Sequence, residues 1–97
     1  MITLKDALEV FSDTKVFKLT EKSHRLDGKR IYDYELVDSK SELWHYTFCV
    51  KETTYNEGAT VDFGRWHPLD AQVQCFDICN LDFLLAVISE LRKGKSW

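Results

Sequence analysis

Proline and glycine are scarce in this chain, which has one proline and four glycines among 97 residues. It therefore contains no recognisable linker or low-complexity tract, and no internal repeat is found. A chain of this length buries roughly 60–70% of the surface that its unfolded form exposes, so it can fold without a metal or a disulfide. We expect one small globular domain over residues 1–97, and the 44% hydrophobic and 13% aromatic content is typical of a soluble protein.

Long apolar segments are also missing. The longest, from Phe83 to Ile88, is far too short to cross a bilayer, and the first residues lack the apolar run of a signal peptide. The three cysteines are an odd number, which does not fit a complete disulfide framework and favours a reducing compartment. We therefore expect a cytoplasmic protein that does not contact a membrane.

Clustered basic residues are a third absence. The net charge is −3, and residues 42–90 contain eight acidic side chains against only Lys51 and Arg65. A protein that binds nucleic acid uses grouped lysines and arginines to displace counterions from the phosphates. Direct binding to nucleic acid is therefore not expected.

Motifs for catalysis or metal binding are not found. The chain has no glycine-rich phosphate loop, GxSxG elbow or HExxH sequence. His45 and Cys49 are four residues apart, as are Cys75 and Cys79, but four strand residues span about 13 Å. Ligands of one zinc ion must all lie within about 2.0–2.3 Å of it, so neither pair can chelate on a strand. The same separation means that His45 and Cys49 cannot form a Cys–His catalytic pair on one strand. We therefore predict no metal, no cofactor and no enzymatic activity.

Two segments alternate with a period of two, at about 30–37 and 43–54, and they organise the rest of the chain. Their shared apolar positions are Tyr32, Tyr34, Leu36, Trp44, Tyr46, Phe48 and Val50. This pattern predicts two half-buried strands joined by a five-residue polar loop. If both apolar sets lie on one side, Tyr34 pairs with Tyr46, and Glu35 lies opposite His45 on the reverse side.

Further strands are predicted on both sides of this hairpin. A turn at 55–58 precedes a strand at 59–66, and pairing across the turn places Val50 opposite Phe63. On the reverse face the same pairing places Lys51 opposite Asp62, a favourable cross-strand charge pair. Weaker strand patterns cover 15–20 and, after the break at the single proline, 71–78.

Helices are predicted at 3–12 and 80–93, because each has one apolar stripe with a helical period. Thr3 and Asn80 are suitable N-cap residues, and Gly94 is suitable for the C-terminal end of the second helix. The element order predicts an α+β fold. In this fold an antiparallel meander of four to five strands has an N-terminal and a C-terminal helix, which we expect to cover its aromatic face.

The reverse face of the sheet is the predicted contact surface. Trp66 stands among charged residues there, and Trp and Arg are enriched at the energetic centres of interfaces. Trp66 can equally pack under the second helix, and Trp97 can fold onto the core or contact another chain. The predicted partner-binding residues are Asp33, Glu35, His45, Asp62, Arg65, Trp66 and His67.

Three classes of function remain after these exclusions. The first is a small non-enzymatic protein-binding module, such as an inhibitor, an immunity-type protein or a regulatory protein, that uses the open sheet face or an edge strand. The second is an acidic decoy that blocks the nucleic-acid-binding site of its partner. The third is a small-ligand pocket between helices and sheet, or a minor enzyme built there, with Tyr32, Tyr34 and Tyr46 lining the cavity. Asp33 and Glu35 have a spacing that two catalytic acids can use, but acids that alternate on an open strand face are usually solvated. The expected partner is another protein, and homodimer formation is an open alternative.

Overall fold

The computed structural model describes residues 2–39, 44–53, 58–67 and 73–94. Within these ranges the chain forms strands and helices in the order β1 (Ile2–Thr3), α1 (Leu4–Val10), β2 (Phe17–His24), β3 (Arg30–Leu36), β4 (His45–Glu52), β5 (Gly58–Trp66), β6 (Val73–Ile78) and α2 (Leu81–Arg92). The predicted α+β class, with an antiparallel sheet and a helix near each end, is confirmed. No helix within the described ranges has both the length and the apolar character needed to cross a membrane.

The sheet is an antiparallel meander in which strands β2 to β6 each pair with the next strand along the chain. The short β1 pairs with the first residues of β5, where Ile2 lies opposite Ala59, and β6 pairs with the remainder of β5. Strand β1 was not predicted, because two residues are too few to show an alternation. Ile2 is fully buried, so this short strand joins the start of the chain to the core.

One face of the sheet, here called the helix face, carries the hydrophobic core. Its buried side chains in β3 to β6 are Tyr32, Tyr34, Leu36, Tyr46, Phe48, Val50, Ala59, Val61, Phe63 and Ile78. Helix α2 adds Leu84, Val87 and Leu91 to the same core cluster, and Phe11 at the end of α1 stacks on Tyr34 with ring centroids 4.7 Å apart. The rings of the middle hairpin therefore point together toward the helices, as predicted.

The register of the middle strands differs from the predicted register by two residues. Tyr34 lies opposite Phe48 rather than Tyr46, and Val50 lies opposite Val61. A shift of two residues leaves every side chain on its original face, so the hydrophobic pattern fixes the face but not the pairing partner. The length of each loop decides between such registers, and both loops are longer than tight two-residue turns.

The ends of both helices follow the predicted capping pattern. The Thr3 side chain accepts a hydrogen bond from the Asp6 N–H at 3.1 Å, and the Asn80 side chain accepts one from the Phe83 N–H at 3.0 Å. Gly94 follows α2 with a φ of 99°, the left-handed conformation that favours glycine after a helix. Helix α1 is three residues shorter than its predicted range and α2 is two residues shorter, since the cap residues are not helical.

Some sequence predictions fall outside the described residues. These are the turn over 55–57, the break at Pro68, the start of the strand at 71–78, and Trp97. Strand β2 is described fully and extends to His24, four residues beyond its predicted end. Its residues are mostly exposed, which explains why they show little hydrophobic alternation.

An ion pair links the start of β3 to the end of β4. The Arg30 guanidinium donates to the Glu52 carboxylate at 2.9 Å, and the Arg30 backbone N–H donates to the same carboxylate at 3.1 Å. The side-chain hydrogen bond from Arg30 is the largest cause that lowers the pKa of Glu52, to about 2. In the folded chain this carboxylate therefore stays ionised down to about pH 2, whereas an ordinary glutamate is protonated below about pH 4.5.

Replacing Glu52 with glutamine should destabilise the chain at neutral pH but not in strong acid. The folded-state pKa of about 2 lies below the ordinary value of 4.5, so the stabilisation is complete above pH 4.5 and is lost as the pH falls through 2. Urea unfolding at several pH values measures this difference. As a control, Arg30→Gln removes the side-chain part of this interaction and leaves the backbone hydrogen bond, so the double variant should lose no more stability than Glu52→Gln alone; additive losses would contradict the pairing.

Candidate interaction face of the sheet

The sheet surface opposite the helices is here called the open face. Register places on it Lys18, Glu21, Ser23, Ile31, Asp33, Glu35, His45, Thr47, Cys49, Lys51, Thr60, Asp62, Gly64, Trp66 and Asp77. All of its side chains are half-buried or exposed, and no polar side chain is buried anywhere in the described part of the chain. The polar surface predicted from the alternation therefore exists, and neither helix packs on it.

A line of acidic residues crosses the open face at right angles to the strands. Asp33 lies opposite Cys49, and Cys49 lies opposite Asp62 on the next strand. The line continues to Glu21 on β2 and to Asp77 on β6, one residue per strand. Neighbouring strands are about 4.8 Å apart, so these five residues, here called the acidic row, form one continuous feature.

A groove of about 480 Å³ occupies the centre of the open face. The side chains that line it are Thr20, Asp33, Thr47, Cys49, Lys51 and Asp62. Gly64 contributes only backbone and lies opposite Thr47, beside the acidic row. Because Gly64 has no side chain, the surface is low at this position, and the residues that line the groove come from strands β2 to β5.

Charges within the groove are partly paired. Lys51 forms an ion pair with Asp62, although in register it lies opposite Thr60, so the predicted charge pair exists as a diagonal contact. The hydrogen bond that Lys51 donates to Asp62 is the largest cause that raises the pKa of Lys51. Lys51 therefore remains protonated and neutralises one carboxylate of the acidic row.

Cys49 is a poor nucleophile in this setting. Burial, followed by a hydrogen bond to Asp33, raises the pKa of its thiol to about 12. The thiolate, not the thiol, attacks electrophiles and binds metals, so a protonated thiol at neutral pH does not support thiol catalysis. Within the described residues, no three His, Cys, Asp or Glu side chains are grouped closely enough to hold a metal ion, and the Cys75 side chain lies outside them.

An aromatic stack lies on the open face one residue pair beyond Thr47 and Gly64, which line the groove. The rings of His45 and Trp66 are parallel within 15°, with centroids 4.2 Å apart. His45 Nδ1 lies 3.2 Å from the Glu35 carboxylate, and 40% of the His45 side chain is exposed. Trp66 is half-buried on this face and does not pack under α2, which resolves the alternative left open by the sequence.

The tripeptide of Arg65, Trp66 and His67 is divided between the two faces of the sheet. Arg65 lies opposite Tyr46 on the helix face, with its guanidinium 4.4 Å from the Trp44 ring centroid. His67 contacts the edge of the same Trp44 ring, with centroids 5.5 Å apart. Alternation along β5 causes this division, because neighbouring strand residues point to opposite sides.

Five of the seven residues predicted to bind a partner therefore share the open face: Asp33, Glu35, His45, Asp62 and Trp66. Arg65 and His67 lie on the other side. The central position of Cys49, the groove over Gly64 and the ends of the acidic row at Glu21 and Asp77 were not predicted. All of these positions follow from the cross-strand pairing, for which the sequence carries no signal.

Comparisons with protein-family models, with curated proteins and with solved structures found no match to this chain. The class defined by the fold is α+β, with an antiparallel sheet covered by helices on one face. The chemistry of the open face is therefore the only basis for a proposed function.

Proposed function

We propose that this chain is a non-enzymatic protein-binding module that contacts its partner through the open face. The observation that carries the proposal is the parallel stack of His45 on Trp66, which lies on the face that neither helix covers. Tryptophan is over-represented among the residues that dominate binding energy at protein interfaces. A rigid, half-buried ring also loses little side-chain entropy when a partner covers it.

The open face suits a partner better than the edge formed by strand β2 does. Strand β2 lies at one edge of the described sheet, and β1 and β6 lie at the other. The register of β2 with β3 shifts between Leu19 and Glu21. A bulge and exposed lysines such as Lys18 and Lys22 are features that oppose the addition of another strand. We therefore place the contact on the face, and the chain then acts as an inhibitor, an immunity-type protein or a regulator of the protein that it covers.

Affinity capture with matched variants tests this proposal. The immobilised wild-type chain should retain a stoichiometric protein from a lysate of its source, and the double variant Trp66→Ala, His45→Ala should lose it. Phe83→Ala is the control, because Phe83 is 44% exposed on α2 and lies on the helix side. A protein retained equally by all three chains, or lost with the control as well, would contradict the proposal; a retained second copy of this chain would identify the partner as itself.

The acidic row favours a second candidate function, the acidic decoy. Four carboxylates and one thiol cross the sheet in a line, and carboxylates spaced along a surface can compete with phosphates for a basic groove. A decoy would displace DNA or RNA from the captured partner, and the competition would weaken steeply as salt is added. Binding that is independent of nucleic acid would favour the first proposal.

A further inference from the structure

We infer that the partner presents an arginine to the open face, on a loop or extended segment, and that this side chain enters the groove between the acidic row and Trp66. The inference depends on the proposed function and specifies the chemistry of the partner. It is carried by the charge of the open face, by the shape of the groove and by the aromatic ring of Trp66, two residues beyond Gly64 on the same face.

The charge of the open face is complementary to a cation. Register places five carboxylates on this face, those of Glu21, Asp33, Glu35, Asp62 and Asp77, against the two lysines Lys18 and Lys51. Lys51 is bound to Asp62, whereas Asp33, on the other side of Cys49, faces a protonated thiol. An additional positive charge in the groove therefore lies between two carboxylates, one of which has no basic partner among the described residues.

The shape of the groove suits a long, narrow side chain. Gly64 and Thr47 form the row between the acidic row and the stack of His45 and Trp66. Successive residues on one face of a strand are about 6.6 Å apart, so a side chain that passes over Gly64 meets carboxylates on one side and the tryptophan on the other. The aliphatic stem of an arginine can cover the half-buried floor while its charged end reaches the carboxylates.

The same strand pair already holds a guanidinium against a tryptophan on its other side. Arg65 lies over Trp44 at 4.4 Å on the helix face, within the distance at which a cation is attracted to an aromatic ring. On the open face, Trp66 lies at the same end of this strand pair as Trp44 does on the helix face. Arginine is favoured over lysine there, because its planar guanidinium can bond to carboxylates at two points and can also stack on a ring.

A peptide of alternating glycine and arginine, blocked at both ends, provides a direct probe. Titrated into the uniformly labelled chain at physiological ionic strength, it should cause saturable shifts of the amide resonances of Asp33, Cys49 and Gly64 and of the Trp66 indole. The matched peptide with citrulline has the same shape without the charge and should not bind. The matched lysine peptide should bind more weakly, and spermine should not reproduce the pattern.

Paired variants separate the groove from general negative charge. The double variant Asp33→Asn, Glu35→Gln should weaken binding of the arginine peptide by about tenfold or more, which corresponds to about 1.4 kcal/mol or more. The control double variant Asp82→Asn, Glu9→Gln removes the same charges from α2 and α1 and should leave the affinity unchanged. Equal weakening in both, shifts spread over all acidic surfaces, or equal binding of spermine would overturn the inference.

Failure of this inference can be distinguished from failure of the proposed function. A captured partner that requires Trp66 and His45, together with an arginine peptide that fails these tests, would leave protein binding in place and exclude the cationic contact. Loss of both would remove the open face as an interaction surface. Inserting a positive charge with Thr47→Lys adds an independent check, since it should abolish peptide binding while leaving the helix face intact.

Discussion

Replacing Phe48 with alanine should lower the free energy of unfolding by about 3–5 kcal/mol, the usual cost of deleting a buried phenylalanine ring. Phe48 is completely buried, and the rings of Phe11, Phe17 and Phe63 surround it at centroid distances of 5.3, 6.0 and 5.2 Å. The variant leaves a cavity between the sheet and the first helix that rigid neighbours fill only in part. Urea unfolding followed by circular dichroism measures the loss.

Phe83→Ala is the matched control for this experiment, because it deletes the same ring from an exposed position on α2. Phe83 is 44% exposed and contacts Phe76, with ring centroids 5.6 Å apart. Its removal should cost about 1 kcal/mol or less, as is usual for a largely exposed position. Similar losses in the two variants would mean that the rings of the middle hairpin do not form the core.

A second large effect is expected for Leu84→Ala, which should cost about 2–5 kcal/mol. Leu84 is completely buried on the side of α2 that joins the core, whereas its neighbour Leu85 is 47% exposed. Leu85→Ala should therefore change the stability by only about 0.5 kcal/mol. The same unfolding measurement, applied to both variants, determines which side of the helix meets the sheet.

The comparison of Leu84 with Leu85 also bears on the open face. If Leu85→Ala proved the more damaging change, the helix would be rotated, and its packing against the helix face would need to be redrawn. A larger loss of stability for Leu84→Ala than for Leu85→Ala would mean that α2 packs on the helix face through Leu84, as in a sheet that is covered on one side only. The two leucines are adjacent, so differences in helix propensity do not affect the result.

The division of the chain into faces was predictable from sequence, and the cross-strand pairing was not. Tyr34, Phe48 and Phe63 share a face because alternation with a period of two depends only on the local chain. Their partners across the sheet depend on the loops, where the sequence contains no tight-turn signal of fixed length. Both registers were therefore displaced by two residues, although the contacts of Glu35 with His45 and of Lys51 with Asp62 remained within reach as diagonals.

For the candidate site, too, the face of most residues was predictable from sequence and their cross-strand neighbours were not. Five of its residues follow from alternation alone, whereas Arg65 and His67 were predicted to share a contact surface with Trp66 although strand geometry places them on the other side. The groove depends on Gly64 lying opposite Thr47, which is a property of the pairing. The bulge after Leu19, which brings Glu21 into line with Asp33, has no signature in the sequence that we recognise.

The separation of the two sheet faces affects which substitutions this chain can accept during evolution. No polar side chain of the described residues is buried, so the open face contributes little to the core that holds the fold together. Residues such as Thr47, Thr60 and Lys51 can therefore be replaced by residues of different chemistry while the sheet and its two helices persist. One scaffold can in this way acquire a different recognition specificity through a few substitutions, without first having to regain its stability.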